Sequence, residues 1–123
     1  MIDMRCREYC RSGPPGLIPL LILRLAYEEP IHGYQVIEKV REMTSGVYAP
    51  ETGVVYTALR RMEEKGLLTS TWVERPGGDR RVYKITEEGI RVLRTGLKAL
   101  SARRKIVEEL FNFYERTWGD IDG

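Results

Sequence analysis

Histidine is almost missing from this chain, which has one, His32, in 123 residues. Cysteine is scarce too, limited to Cys6 and Cys10. A structural zinc site needs about four ligands, and these residues fall short in number and lie in different segments. Cys6 and Cys10 read as two free thiols, or as a disulfide only in an oxidising or hyperthermophilic setting. No phosphate-binding glycine loop and no paired-carboxylate constellation is present, so nothing assembles into a catalytic centre. The chain is read as a non-enzyme that needs no cofactor and no metal. Long apolar runs are lacking as well. The longest, Leu17 to Leu25, contains Pro19 and Arg24 and is about half the ~20 residues a membrane helix needs. Arginines and polar residues precede a proline break near the N-terminus where a signal peptide would have its cleavage site. A cytoplasmic protein with no membrane partner is expected.

Strong charge of one sign is also absent: 20 Lys and Arg face 18 Asp and Glu. The distribution is more informative than the total. Residues 52–84 carry seven basic and four acidic side chains, an excess of +3, whereas residues 17–51 carry three and five, or −2. Residues 85–123 balance at seven each. The positive excess therefore sits in the middle of the chain, as a polyanion-binding segment would have it.

That middle segment begins with Glu51-Thr-Gly-Val-Val-Tyr-Thr-Ala-Leu-Arg-Arg-Met-Glu-Glu-Lys-Gly-Leu-Leu68. Val55, Leu59 and Met62 recur at helical spacing and mark a core face flanked by Ala58. The opposite arc carries Gly53, Thr57, Arg60, Arg61 and Glu64, with Tyr56 and Val54 at its edges. Thr52 or Glu51 caps the helix and Gly66 ends it. Arginine, tyrosine and threonine on one face suit phosphates and base edges. A solvated face with i,i+3 or i,i+4 ion pairs to Glu63 and Glu64 is the plain alternative, and Tyr56 could equally anchor the helix to the core.

Two helices precede it. Residues 17–27 are apolar almost throughout and predict a buried helix, with Pro19 tolerated in the first turn. His32 to Met43 predicts a second, whose inner stripe is Tyr34, Ile37 and Val40, with Val36 beside it. Thr44-Ser-Gly46 stops that helix, and Pro50 keeps Ala49 extended. Leu67 to Glu74 and Arg81 to Thr86 then read as two strands joined by Arg75-Pro-Gly-Gly-Asp-Arg80, a β-hairpin. Three helices and a hairpin make a winged helix-turn-helix order, mostly α with a small β element. The hairpin tip carries Arg75, Arg80 and Arg81.

Thr86 caps a long final helix. Leu93, Leu97, Leu100, Arg104, Val107, Phe111, Tyr114 and Trp118 are spaced alternately four and three apart, a heptad seam with one polar intrusion. Ile106, Leu110 and Phe113 widen it. The first turns are expected to cover the body and the later ones to pair with a second copy, making a homodimer; intramolecular cover throughout is the alternative. Trp72 of the hairpin, with Phe111, Tyr114 and Trp118, could line an aromatic ligand slot, or the helix aromatics simply pack a dimer. The resulting division is an N-terminal basic arm (1–16), which either reaches DNA or frays, a winged-helix domain (17–86) and a C-terminal dimerisation helix (87–123).

His32-Gly-Tyr34 after Pro30, the stretch Gly53 to Leu67, and Arg81-Val-Tyr-Lys-Ile-Thr-Glu-Glu-Gly89 after a Gly-Gly wing resemble the PadR family of transcriptional regulators over about residues 17–100. Where the family pattern has proline after the tyrosine, this chain has Thr57. The chain looks like the compact branch, with one C-terminal helix. The resemblance implies a repressor that binds a palindromic operator on double-stranded DNA as a dimer, with a small aromatic effector releasing it in many members. It matches Gly53–Arg61, including Tyr56, to the recognition helix, Arg80 and Arg81 to the basic end of the wing, and Tyr34 to the motif tyrosine. The full set of expected DNA-contacting residues is Tyr34, Thr52, Gly53, Tyr56, Thr57, Arg60, Arg61, Lys65, Arg75, Arg80 and Arg81. A winged-helix module that binds protein rather than DNA is the competing reading, motivated by the modest net charge.

Overall fold

The computed structural model describes residues 17–122; the N-terminal arm with Cys6 and Cys10 lies outside that range. Three helices come first: α1 (Leu17–Glu28), α2 (Gly33–Met43) and α3 (Thr52–Glu64). The strands β1 (Leu68–Val73) and β2 (Arg80–Ile85) follow, and then α4 (Glu87–Asp122). This is the winged helix-turn-helix order expected from the sequence.

The apolar run of α1 is used on several sides: Ile18, Ile22, Leu23, Leu25 and Ala26 are all buried. They meet Val36, Ile37 and Val40 of α2 and Val55, Leu59 and Met62 of α3 in one core. The α3 face is the one its periodicity predicts. The α2 stripe departs from expectation at its first position. It runs through Gly33, Val36, Ile37 and Val40, and Tyr34 is 59% exposed. Gly33, not Tyr34, stands three and four residues before the next inner positions, so helical geometry turns the tyrosine outward.

Local signals set the helix ends. His32 is the N-cap of α2 in capping-box geometry with Gln35: its backbone N–H donates to the Gln35 side-chain oxygen at 3.1 Å, and its Nδ1 lies 3.4 Å from the Gln35 backbone nitrogen, at a helix start whose amides lack partners within the helix. The Thr44 hydroxyl lies 3.0 Å from the Val40 carbonyl and accepts from the Tyr48 N–H at 3.0 Å. At the start of α3, Glu51 holds the cap position but its side chain makes no capping bond. At the other end Gly66 adopts a left-handed φ of 78°, and the Leu67 N–H bonds the Met62 carbonyl at 2.9 Å, a closure that glycine makes cheap.

The strands pair antiparallel from Leu68↔Ile85 to Val73↔Arg80. A third short piece, which the sequence did not suggest, joins them: Ile31 forms a bridge with Tyr83 through bonds of 3.0 and 2.8 Å. The linker between α1 and α2 thus becomes an edge of the sheet. Thr86 begins α4, accepting from the Gly89 N–H at 3.0 Å and donating to the Gly66 carbonyl at 2.6 Å. A Cβ on Gly89 would collide with the Leu67 carbonyl, so the helix start and the α3–β1 link approach as closely as they do only because that residue is glycine.

The described residues through Leu93 form one compact unit, and those from Arg94 onward form another. Within α4, Leu93 is 7% exposed and belongs to the core. Of the seam residues expected to dimerise, it is the one spent on the body. Beyond it Leu97, Val107, Leu110, Phe111, Tyr114 and Trp118 are all exposed, and Leu100 is half-buried. Arg104, the polar intrusion, has Glu108 one turn along at 3.6 Å.

Candidate nucleic-acid interface

The outward arc of α3, the N-terminus of α2 and the hairpin enclose a cleft of ≈ 430 Å³. His32, Gly33 and Tyr34 contribute from α2 and its cap, Tyr56 and Arg60 from α3, and Trp72, Asp79, Arg80, Arg81 and Tyr83 from the hairpin. Three arginines against one aspartate make it cationic, and four aromatic rings give it flat apolar walls. It brings together five expected DNA contacts (Tyr34, Tyr56, Arg60, Arg80 and Arg81) and the speculative ligand residue Trp72. Thr52, Gly53, Arg61, Lys65 and Arg75 are exposed outside its lining, and Thr57 is half-buried.

Tyr56 is held by packing. Its ring lies over Gly33, where a Cβ would come within 2.6 Å of the ring. The glycine of the His-Gly-Tyr segment therefore makes room for a tyrosine of α3, and Tyr56 remains 47% exposed. Anchor and contact surface, the two alternatives raised by the sequence, are compatible roles.

The arginines differ in their surroundings. Arg81 is tied within the protein: its guanidinium lies 2.8 Å from the Glu63 carboxylate and its Nε donates to the Ser70 hydroxyl at 2.8 Å. Ser70 in turn donates to Glu63 at 2.6 Å. The guanidinium carbon also stands 5.8 Å from the ring centres of both Trp72 and Tyr83, within the range of cation–π attraction. Arg81, expected as a DNA contact, thus has partners within the protein. Arg80 instead reaches inward, its Nη1 3.0 Å from Nε2 of His32.

His32 and Tyr83 were not among the expected site residues. His32 is only 8% exposed. Burial pushes its pKa down, Arg80 and then Arg75 push the same way, and Glu38 opposes them. Burial raises the Tyr83 hydroxyl, with Arg81 pulling it down. The signal for His32 in the sequence was Gln35 three residues on, the capping-box spacing. No local signal joins His32 to Arg80, 48 positions away.

The aromatic residues named for a ligand slot are distributed over both units. Trp72 lines the cleft in the first. In the second, Trp118 meets Phe113 edge to face at 5.5 Å and Tyr114 at 6.2 Å, while Phe111 is 62% exposed. Among the described residues no three His, Cys, Asp or Glu side chains gather as a metal site, and no helix is long and apolar enough to cross a membrane.

Residues 22–95 match the Transcriptional regulator PadR-like family. Transcriptional regulator Rv3488 of Mycobacterium tuberculosis is 32% identical over 104 residues, covering 85% of this chain and 84% of that protein. Transcriptional regulator YqjI of Escherichia coli is 34% identical over 74 residues, 60% of this chain; the match spans about a third (34%) of that longer relative. Among solved structures, the transcriptional regulator TA0346 of Thermoplasma acidophilum superposes with a TM-score of 0.69 at 34% identity, covering 80% of this chain and 91% of that one. Bacillus subtilis PadR in complex with operator DNA shares the fold, with a TM-score of 0.61 at 18% identity over 66% of this chain and 46% of that one.

Proposed function

Because the chain belongs to the PadR-like family of transcriptional regulators, we propose that it binds double-stranded DNA sequence-specifically as a homodimer, with α3 in the major groove and the hairpin against the backbone. The observation that carries this reading is the shared cationic cleft. Arg60 of α3 and Arg80 of the hairpin line one opening together with Tyr34 and Tyr56, so one surface offers side chains for base edges and for phosphates. Thr57, Tyr56 and Arg60 would meet bases, Thr52, Gly53 and Tyr34 would lie along the contact, and Arg61, Lys65, Arg75 and Arg80 would meet phosphates. Arg81 contributes by fixing the hairpin to α3. That Bacillus subtilis PadR, which shares the fold, was solved in complex with operator DNA supports DNA binding.

Dimerisation rests on α4. From Leu97 to Trp118 it exposes a stripe of large apolar side chains, and covering such a stripe is strongly favourable. A two-fold dimer would set two copies of α3 about one DNA turn (~34 Å) apart and select a palindromic operator. Action as a repressor in the cytoplasm, and release by an aromatic effector held among Phe111, Tyr114 and Trp118, with Trp72 as a further candidate, complete the proposal.

The test is a binding titration on duplexes selected from a random pool, repeated across salt. Sequence-preferring binding that weakens steeply from low to moderate salt is the expected result. No sequence preference at any salt would sink the proposal and favour a protein-binding module.

A further inference from the structure

His32 is the buried polar side chain among the described residues, and both of its ring nitrogens face donors. Nδ1 lies 3.4 Å from the Gln35 backbone nitrogen, and Nε2 lies 3.0 Å from Nη1 of Arg80. A neutral imidazole has one lone pair to offer and one N–H, so it can serve only one of these donors. Distance and charge choose between them. The contact to Gln35 is at the long limit for a hydrogen bond, whereas the contact to Arg80 is short and charge-assisted. The favoured tautomer therefore carries its proton on Nδ1 and turns the Nε2 lone pair to the arginine. The other half of the capping box, His32 N–H to the Gln35 side-chain oxygen at 3.1 Å, survives that choice.

An arginine side chain has many rotamers, and holding one of them in advance removes an ordering cost from binding. We propose that His32 is a positioning residue for DNA binding: its Nε2 holds the Arg80 guanidinium in the cleft that Arg60 also lines, where a backbone phosphate meets a cation already in place. This inference rests on the DNA-binding reading above.

Arginine keeps its proton at any relevant pH, so the device can fail only at the histidine. A second proton on His32 removes the lone pair and sets two cations 3.0 Å apart. Arg75 adds to the repulsion and Glu38, on α2, opposes it; Asp79, Arg81 and Arg60 are the other charged groups lining the cleft. A protonated His32 would also bring one more positive charge to the DNA surface. Lost aim and gained charge predict opposite pH trends, and the proposal commits to lost aim.

Phosphate contacts are indifferent to base sequence, so the probe is a labelled mixed-sequence duplex about three helical turns long at low salt. Wild type, His32→Asn, Arg80→Ala and the double variant are titrated at pH 8 and again stepwise to well below 6.5, the ordinary histidine value that His32 falls short of. Asparagine caps helices well but is too short to reach Arg80. His32→Asn should weaken binding at pH 8 roughly three- to tenfold, and adding it to Arg80→Ala should change nothing further. Wild type should lose affinity in acid, and His32→Asn should not. His32→Gln, longer and unable to titrate, should restore part of the affinity without the pH dependence; it also serves as the folded comparison if the asparagine variant melts early. Independent, additive effects of the two single changes, or tighter wild-type binding in acid, overturn the assignment alone. A wild type that binds no duplex at any pH overturns the DNA-binding reading and this assignment with it.

Discussion

Arg81 of the hairpin and Glu63 of α3 are joined by an ion pair of 2.8 Å, and Ser70 closes it into a three-membered ring of hydrogen bonds. Glu63, expected from the sequence only as a partner for arginines of its own helix, is thus the anchor of the wing, and Arg81 is already engaged. Arg81→Ala should lower unfolding free energy by about 1 kcal/mol, the scale of a part-exposed ion pair with an aromatic contact, as read by urea denaturation. It should leave the salt dependence of DNA binding nearly unchanged. Arg60→Ala should do the reverse, keeping stability within about 0.5 kcal/mol and costing about 1–3 kcal/mol of specific binding if the residue reads a base. Equal binding losses for the two variants would contradict this division of labour.

Three glycines separate packing from contact. Gly89→Ala drives a Cβ into the Leu67 carbonyl, a backbone group that cannot step aside, and should cost about 1–3 kcal/mol. Gly53→Ala meets open space and should raise the melting temperature, since alanine favours the helix by up to about 1 kcal/mol. If Gly53 lies on DNA, the same change weakens DNA binding while it stabilises the protein. Gly33→Ala should displace the Tyr56 ring, weakening DNA binding several-fold with little change in melting. In a Tyr56→Ala background it should have no further effect on binding.

Leu59 has no exposure at all, and Leu59→Ala should cost about 2–5 kcal/mol by cavity formation. Such a loss is a large part of the stability of a small domain. Thermal melting followed by circular dichroism would register it as a shift of many degrees, and a shift of a degree or two would mean that Leu59 does not pack into the core with α1.

The α4 seam is testable without DNA. Phe111→Glu together with Leu110→Glu puts two carboxylates on the exposed stripe and should convert a dimer to monomers in analytical ultracentrifugation, with the winged-helix unit still folded. A wild-type chain that sediments as a monomer at micromolar concentration would remove the basis for two-fold operator recognition.

Stability should also depend on pH through His32. Its folded pKa lies below the ordinary 6.5, so below that pH the unfolded chain takes up the proton more readily. The histidine's contribution is fully present above 6.5 and is lost as pH falls from there through the depressed value. The melting temperature of wild type should fall more between pH 7.5 and 5.5 than that of His32→Gln. Parallel curves would show that the imidazole is not held neutral.

Much of the fold could be read from local pattern because local physics creates it. The α3 stripe, the Pro-Gly-Gly hairpin, the Thr86 cap and the break at Thr44-Ser-Gly46 each depend on residues within a turn or two of one another. The candidate interface was legible as a list of cations on α3 and the hairpin. It was not legible as a cleft, because its walls come from segments far apart in the chain. Tyr34 was misassigned to the α2 core because a glycine at an inner position carries no hydropathy signal. Arg81 could not be distinguished from Arg80, its neighbour, since their partners, Glu63 and His32, lie 18 and 48 positions away.

Periodicity and capping chemistry were enough to establish three helices, a wing and a long amphipathic helix, because each reports hydrogen bonds and burial made within a few residues. Which arginine is aimed and which is anchored, why Gly33 must be small, and that the lone histidine touches the wing depended on tertiary packing. Those are contacts across long stretches of chain, and only the closing of the core around α1 brings their partners within reach.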